Sequence, residues 1–227
     1  MSSKFLLTRK FTPLRWQVIY YHCFPTTTTN IGIQFKFYYP DLNYSPKLKG
    51  LDHEAFYNHF LVECRTNGSL IKQGKNGTHT PFCYGWIEVP CIIETYVARK
   101  YNVQPFCWDR PPGAEQERIQ GILYEYLDGK TLANVHLTPQ IADDTRTALT
   151  GLHNATVAHG DIRPSHILVE AGRVRLLDLS TSKSMPHIRL SKDDLKNIQK
   201  MEQLELEVGF SLLSEVRISN ASLGEWI

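Results

Sequence analysis

The sequence predicts an α+β chain, with strands and one helix in its first half and helices around a small hairpin in its second. Three observations carry this expectation. Residues 14–39 are dense in β-branched and aromatic side chains, interrupted once by a threonine-rich turn. Residues 139–152 and 195–208 place apolar side chains at the three-and-four spacing of a helix face. Two short apolar runs flank Glu170-Ala171-Gly172, a turn signal. The change of character falls near Tyr126 to Gly129, dividing the chain into residues 14–125 and 126–227.

Taken in order, Leu14 to Phe24 and Ile31 to Tyr39 are expected strands, joined across Pro25 to Asn30. Pro40 to Gly50 is a loop. Asp52 to Leu61 reads as a helix, with Asp52 at its start and Phe56, Tyr57 and Phe60 on one face. A polar loop from Lys72 to Thr80 leads into an expected strand from Pro81 to Pro90. Residues 100–118 form a proline-bearing excursion, and Ile119 to Leu127 is the next strand, stopped by Asp128-Gly129. Thr138-Pro139 sets a capping hydroxyl before a proline in the first helical turn, and Ala142, Thr145, Ala148, Leu149 and Leu152 then form one face. Ile167 to Val169 and Val174 to Leu177 make the hairpin. Ser191 with Asp194 resembles a capping box, and Leu195, Ile198, Met201, Leu204 and Val208 are expected down one side of the last helix.

Composition narrows the function classes. The 227 residues hold 25 Lys and Arg against 23 Asp and Glu, a net charge of +2, so no basic face for nucleic acid is expected. No run of about 18 apolar residues occurs, and the N-terminus lacks the apolar core of a secretory signal. The expectation is an intracellular, cytoplasmic monomer with neither membrane nor nucleic-acid partners. The cysteines at 23, 64, 83, 91 and 107 are odd in number and include no Cys-x-x-Cys pair, so neither a disulfide framework nor a zinc site is expected. Gly129-Lys130-Thr131 is not the end of a phosphate-binding P-loop, because the glycine needed five residues before Gly129 is Tyr124.

The segment richest in chemistry is Val157-Ala-His-Gly-Asp-Ile-Arg-Pro-Ser-His-Ile-Leu-Val169. It follows a predicted helix and precedes the hairpin that delivers Asp178. Asp161 and Asp178 each lie beside an apolar strand, and the hairpin between them can fold both toward one place. One carboxylate that orients a hydroxyl and another that holds a cation are what phosphoryl transfer asks for, since that reaction is mostly positioning and charge neutralisation.

These residues resemble the protein-kinase-like superfamily, and within it the small degenerate kinase-like proteins of filamentous fungi. The family's His-x-Asp, four residues, then Asn is matched by His159-Gly160-Asp161, four residues, then His166. Asp178-Leu179-Ser180 stands for its Asp-Phe-Gly, and Leu123-Tyr-Glu-Tyr-Leu-Asp-Gly129 is similar to its hinge. The resemblance implies a two-lobe fold with a reduced N-lobe sheet and one helix, followed by a truncated, mainly helical C-lobe. It implies that Lys36 contacts the ATP phosphates with Glu54 orienting it, and that Glu125, Tyr126 and Leu127 border the adenine. It gives Asp161 the acceptor hydroxyl, places Arg163 where a phosphate-facing lysine often stands, and makes Asp178 the ligand of Mg2+. His159 is expected to brace the loop rather than act as a base.

The departures are part of the pattern. His166 occupies the place of an asparagine that ligates a second metal, and imidazole is a poor magnesium ligand. No Gly-x-Gly-x-x-Gly is present, Gly160 replaces an arginine, and no Ala-Pro-Glu follows Asp178. The expected activity is ATP-dependent phosphorylation of a hydroxyl, on protein Ser/Thr. A pseudokinase or binding module with little turnover stands beside it, as does a small-molecule kinase of the aminoglycoside or choline type. The acceptor, protein or small molecule, is not named by the sequence.

Overall fold

The computed structural model describes residues 19–23, 33–38, 58–89, 99, 119–187 and 189–223. The expected helix start at Asp52, the loop at 40–50 and the excursion at 100–118 lie outside the described residues. The architecture is α+β, with three α-helices among the described residues and small antiparallel sheets. The chain divides into two compact units, Met1–Cys64 with Cys83–Tyr126, and Arg65–Phe82 with Leu127–Ile227. None of the helices among the described residues is long and apolar enough to cross a membrane.

The first unit is built on a four-stranded sheet. Strands β1 (Ile19–Cys23), β2 (Ile33–Tyr38), β3 (Cys83–Val89) and β4 (Ile119–Glu125) lie in the order β1-β2-β4-β3, each pair antiparallel. Register sets Lys36 opposite Ile122 and Gln34 opposite Tyr124. A bulge between Cys83 and Gly85 shifts β3 by one residue, with Gly85 at φ +138°, where a side chain would be strained.

Helix α1 (His59–Lys72) starts in this unit. Asn58 caps it, its side-chain oxygen accepting the Leu61 N–H at 3.1 Å. The helix runs eleven residues beyond the predicted end at Leu61, since Phe60, Val62, Glu63, Thr66, Asn67 and Leu70 keep one face buried. Polar residues make up much of that face, and hydropathy therefore hides it. Phe60 packs with Ile122, Tyr124, Cys83 and Cys64, and meets the Trp86 ring edge-on at 6.0 Å. Burial and the nearby Glu63 carboxylate push the Cys64 thiol up to about 12, and burial pushes Cys83 up to about 11. Neither thiol is in a disulfide, and both stay protonated at neutral pH, so neither is a nucleophile.

The second unit has its core between a helix pair and a three-stranded sheet. Helix α2 (Pro139–Asn154) is capped by Thr138, whose hydroxyl accepts the Ile141 N–H at 3.2 Å. Its buried residues are Ala142, Thr145, Ala148, Leu149 and Leu152, the face the sequence predicts. Strands β5 (Lys130–Thr131), β7 (Ile167–Glu170) and β8 (Arg173–Leu176) pair antiparallel. The β7–β8 turn places Ala171 and Gly172 at φ +46° and +78°, the backbone of a two-residue hairpin turn matched to strand twist. A second ladder pairs β6 (Val157–Ala158) with β9 (Lys183–Ser184).

Helix α3 (Lys192–Leu223) begins with the predicted box: Asp194 accepts the Ser191 N–H at 2.9 Å, and Ser191 Oγ accepts the Asp194 N–H at 3.1 Å. The predicted apolar side of this helix needs correction. Met201, Leu204 and Val208 are 55–60% exposed, and the buried residues are Leu195, Glu202, Leu206 and Phe210. Hydropathy turns a glutamate outward. Here the Glu202 carboxylate is drawn inward by hydrogen bonds, and the helix rotates with it. Arg146 of α2 fixes the packing from outside, with two bonds to Glu207 at 2.7 and 2.8 Å and its guanidinium 5.2 Å over the Phe210 ring.

Candidate functional site

The loop between β6 and β7 carries the predicted chemistry, and its shape follows from three anchors. His159, fully buried at its centre, faces the Leu177 carbonyl through Nε2 at 2.8 Å and the Asp161 N–H through Nδ1 at 3.3 Å. A carbonyl only accepts and an amide N–H only donates, so Nε2 carries the proton and the ring is neutral. Burial holds its proton affinity below the ordinary histidine range, with the nearby His166 ring adding to the effect and the Glu202 and Asp178 carboxylates opposing it. This histidine ties the loop to the end of β8 and leaves no nitrogen to take a substrate proton.

Glu202 is the second anchor, and nothing in the pattern of α3 marks it. It is 3% exposed and reaches in from α3, its Oε1 accepting the Gly160 N–H at 2.5 Å while Oε2 meets His153 Nε2 at 2.8 Å. Gln199, one turn earlier, donates to the His153 and Val157 carbonyls at 3.1 and 3.2 Å. One face of α3 thus satisfies the end of α2 and the entry to the loop together. The third anchor is Gly160 itself, at φ +84°, passing so close to Thr181 that a Cβ would lie 2.2 Å from its carbonyl oxygen.

Held this way, the loop brings Asp161, Arg163, His166 and Asp178 together. A single 3-10 turn, Pro164–His166, follows Arg163, and the Leu177 N–H donates to the His166 carbonyl at 2.7 Å, which locks the turn to the strand leading into Asp178. The His166 ring lies between the two acids, its Nδ1 3.5 Å from Asp161 Oδ2 and its Nε2 3.9 Å from Asp178 Oδ2. Nδ1 also meets the Asp161 carbonyl at 3.0 Å, while Nε2 faces Arg163 Nη2 at 3.0 Å and Nε at 3.2 Å. A guanidinium can only donate, so Nε2 accepts and Nδ1 carries the proton. Burial lowers the proton affinity of His166. Arg163 Nη2 closes the group on Asp161 Oδ2 at 2.9 Å.

Asp178 sits at φ +65°, a left-handed backbone that aspartate tolerates better than branched residues do. Its Oδ1 accepts from Ser180 Oγ at 2.6 Å and from Ser180 N at 3.3 Å. Its Oδ2 lies 3.9 Å from His166 Nε2. Asp161 is 38% exposed at its side chain and Asp178 19%, so the first is the more open to an incoming molecule.

The other predicted residues divide as follows. Lys36 lies in β2 across from Ile122, which is buried in the Phe60 cluster. Glu125 ends β4, paired with Ile33, and Tyr126 and Leu127 follow it half-buried. Glu54 is outside the described residues. The described helix carries a different acid, Glu63, 1% exposed, which accepts the Tyr124 hydroxyl at 2.7 Å. Its position three residues after Phe60 is the only trace of it in the sequence. Among the described residues, no group of three or more His, Cys, Asp or Glu side chains could hold a metal ion.

The histidines give a pH prediction. His79, His159, His166 and His187 all have their proton affinity lowered, in each case chiefly by burial. Below their ordinary value of 6.5 the unfolded chain takes up protons that the folded chain refuses. Stability is therefore complete above that pH and falls as acid carries it toward the lowered folded values. Urea midpoints are expected to drop steadily from about pH 7 to about pH 5; a level profile over that window contradicts the assignment of buried neutral rings.

No family model matches the chain, and no curated protein matches it. Matches among solved structures number 624 chains. One is monomeric WbdD, with a TM-score of 0.43 and 17% identity, covering 77% of this chain and 35% of that one. The chain thus spans about a third of that structure's length.

Proposed function

We propose that the chain is a small two-lobe, kinase-like phosphotransferase that moves the γ-phosphate of ATP to a hydroxyl, on protein Ser/Thr. The observation that supports this most is the convergence of Asp161 and Asp178 on either side of His166, within one rigid loop-and-hairpin unit. The half-exposed Asp161 carboxylate orients the acceptor hydroxyl and takes its proton as the oxygen attacks the γ-phosphorus. ADP leaves, and the proton stays on Asp161 until solvent removes it. Arg163, already paired with Asp161, offers its remaining N–H groups to the transferring phosphoryl oxygens. Lys36 serves the α- and β-phosphates, and Glu125, Tyr126 and Leu127 border the adenine. In the role first given to Glu54, the better candidate is Glu63: it is a buried carboxylate fixed by Tyr124, and Tyr124 follows by two residues the Ile122 that faces Lys36.

The donor set fits one magnesium ion. Magnesium is commonly held by one or two carboxylates together with substrate phosphates, and Asp178 supplies the carboxylate. When bound there, it supplies neutralisation of the phosphate charge. The donor set does not fit a second ion, because His166 offers nitrogen where magnesium requires oxygen.

A second reading, a pseudokinase that binds nucleotide without turnover, is favoured by one observation: Arg163 holds the Asp161 carboxylate at 2.9 Å, in the place an acceptor hydroxyl must reach. One experiment separates the two. Mg-ATP is expected to raise the melting temperature by several degrees, and Asp178→Ala to abolish that rise. Labelled phosphate is expected in a generic protein acceptor, lost by at least a hundredfold in Asp161→Ala. A thermal shift without incorporation identifies the pseudokinase; no shift with any nucleotide overturns both readings.

A further inference from the structure

We infer that Thr66 and Ser182 are positioning residues for Asp178: a hydroxyl relay that starts on helix α1 pins a peptide group whose N–H faces the Asp178 carboxylate. The inference rests on the reading of Asp178 as the magnesium ligand given above, and goes beyond it by naming what aims that ligand.

The relay has a fixed direction. Ser182 Oγ donates to the Leu179 carbonyl at 2.6 Å, which uses the single proton of that hydroxyl. Thr66 Oγ1 lies 2.7 Å from Ser182 Oγ, so Thr66 is the donor between them. The two residues stand 116 positions apart in the chain and are both buried, Thr66 at 0% exposure and Ser182 at 3%. The Ser182 N–H adds a second bond to the same Leu179 carbonyl at 3.1 Å, and both lone pairs of that oxygen are then engaged.

The held carbonyl and the Ser180 N–H belong to one peptide group. That group is planar and trans, so its C=O and N–H point in opposite directions. Holding the C=O on Ser182 therefore sets the N–H toward Asp178 Oδ1, 3.3 Å away, where the Ser180 hydroxyl also donates at 2.6 Å. Rotation of this peptide would take the N–H off the carboxylate. Fixing Oδ1 sets the carboxylate plane, and with it the direction in which Asp178 presents its oxygens. The hold matters because Asp178 stands at φ +65°, a conformation that a residue other than glycine keeps only where its surroundings enforce it. Further along, Lys183 Nζ donates to the Thr181 carbonyl at 2.8 Å and β9 pairs with β6, which anchors the exit of the turn. Thr66, Asp178 and Ser182 all lie within the second unit.

Two buried hydroxyls that merely satisfied each other would move stability alone; a positioning pair moves metal affinity while nucleotide affinity without metal stays unchanged. The intact chain, in excess over a non-hydrolysable ATP analogue, is titrated with Mn2+, and free ion is read by electron paramagnetic resonance. Fluorescence of a labelled analogue in EDTA gives the metal-free nucleotide affinity, and Asp178→Ala gives the metal affinity without the ligand. Ser182→Ala is expected to weaken Mn2+ binding about tenfold, the lower end of what loss of an outer hydrogen-bond partner costs a metal site. Thr66→Val is expected to shift it the same way, and Thr66→Ser, which keeps the hydroxyl, to hold the wild-type value. Wild-type Mn2+ affinity in Ser182→Ala or Thr66→Val overturns the inference, as does an equal fall in metal-free nucleotide affinity. Should Ser182→Ala fail to fold, the Thr66→Val and Thr66→Ser pair decides alone. Mn2+ affinity in Asp178→Ala equal to wild type overturns the metal-ligand reading itself, and failure of wild type to bind the labelled analogue overturns the nucleotide reading; the inference falls with either.

Discussion

Glu202→Ala is expected to lower the melting temperature by about 6–12 °C, the equivalent of about 3 kcal/mol in a chain of this size. The loss is large because one buried carboxylate serves two partners at once. The Gly160 N–H and His153 Nε2 both lie against it, and α3 closes over them. Removing the acceptor leaves an amide stripped of water and a ring nitrogen without its partner, each costing about 1–3 kcal/mol. The cavity left by the truncated side chain adds to this. Glu202→Gln is the discriminating control. An amide oxygen still accepts from Gly160 and its NH2 still faces His153, so that variant is expected to lose no more than about 1 kcal/mol. Chemical denaturation of the two variants side by side measures both numbers. Equal, small losses in both would mean that the buried carboxylate does not brace the loop.

Gly160→Ala is expected to be at least as damaging, by about 3 kcal/mol or more. Two costs add. The backbone at φ +84° is one that alanine adopts only with strain, and the new Cβ would lie 2.2 Å from the Thr181 carbonyl oxygen and 2.6 Å from its carbon. Backbone atoms cannot step aside as a side-chain tip can. A side chain at this position is thus sterically barred, because the segment after Asp178 passes directly over the loop. A melting temperature within about 2 °C of wild type would show that Thr181 has room to move.

The sequence announces those parts of the molecule that local chemistry decides. Thr138-Pro139 and the face from Ala142 to Leu152 are read correctly because a capping hydroxyl, a proline and apolar periodicity all act within one helix. The β7–β8 hairpin is legible for the same reason: Ala171-Gly172 alone can make its turn. Where tertiary contacts decide, the reading fails. The apolar stripe through Met201, Leu204 and Val208 turns outward because Glu202 has business inside, and no pattern in α3 distinguishes that glutamate from a solvated one. Helix α1 runs past Leu61 on a buried face that includes Glu63, Thr66 and Asn67, and the partners of Glu63 and Thr66, Tyr124 and Ser182, lie far along the chain. The two-residue strands β5, β6 and β9 exist only through pairing with distant segments.

The site divides along the same line. Asp161, Arg163 and His166 are fixed by spacing within one loop, and Asp178 follows from a hairpin of the right length. What spacing cannot reveal is that Arg163 bonds both Asp161 and His166, or that the ring orientations of His159 and His166 are set by carbonyls at positions 177 and 161. Glu54 lies outside the described residues, and Glu63 is the acid that the described helix buries.

The claim on which the functional account rests is tested most directly by an acyl phosphate of ATP, which hands its acyl group to whichever lysine amine lies against the nucleotide phosphates. Digestion and mass spectrometry then read the acylated residue. Modification concentrated on Lys36, suppressed by excess ATP and diminished in Asp178→Ala, is the predicted result. Acylation spread over surface lysines and indifferent to ATP, or directed by ATP to a lysine other than Lys36, would contradict it.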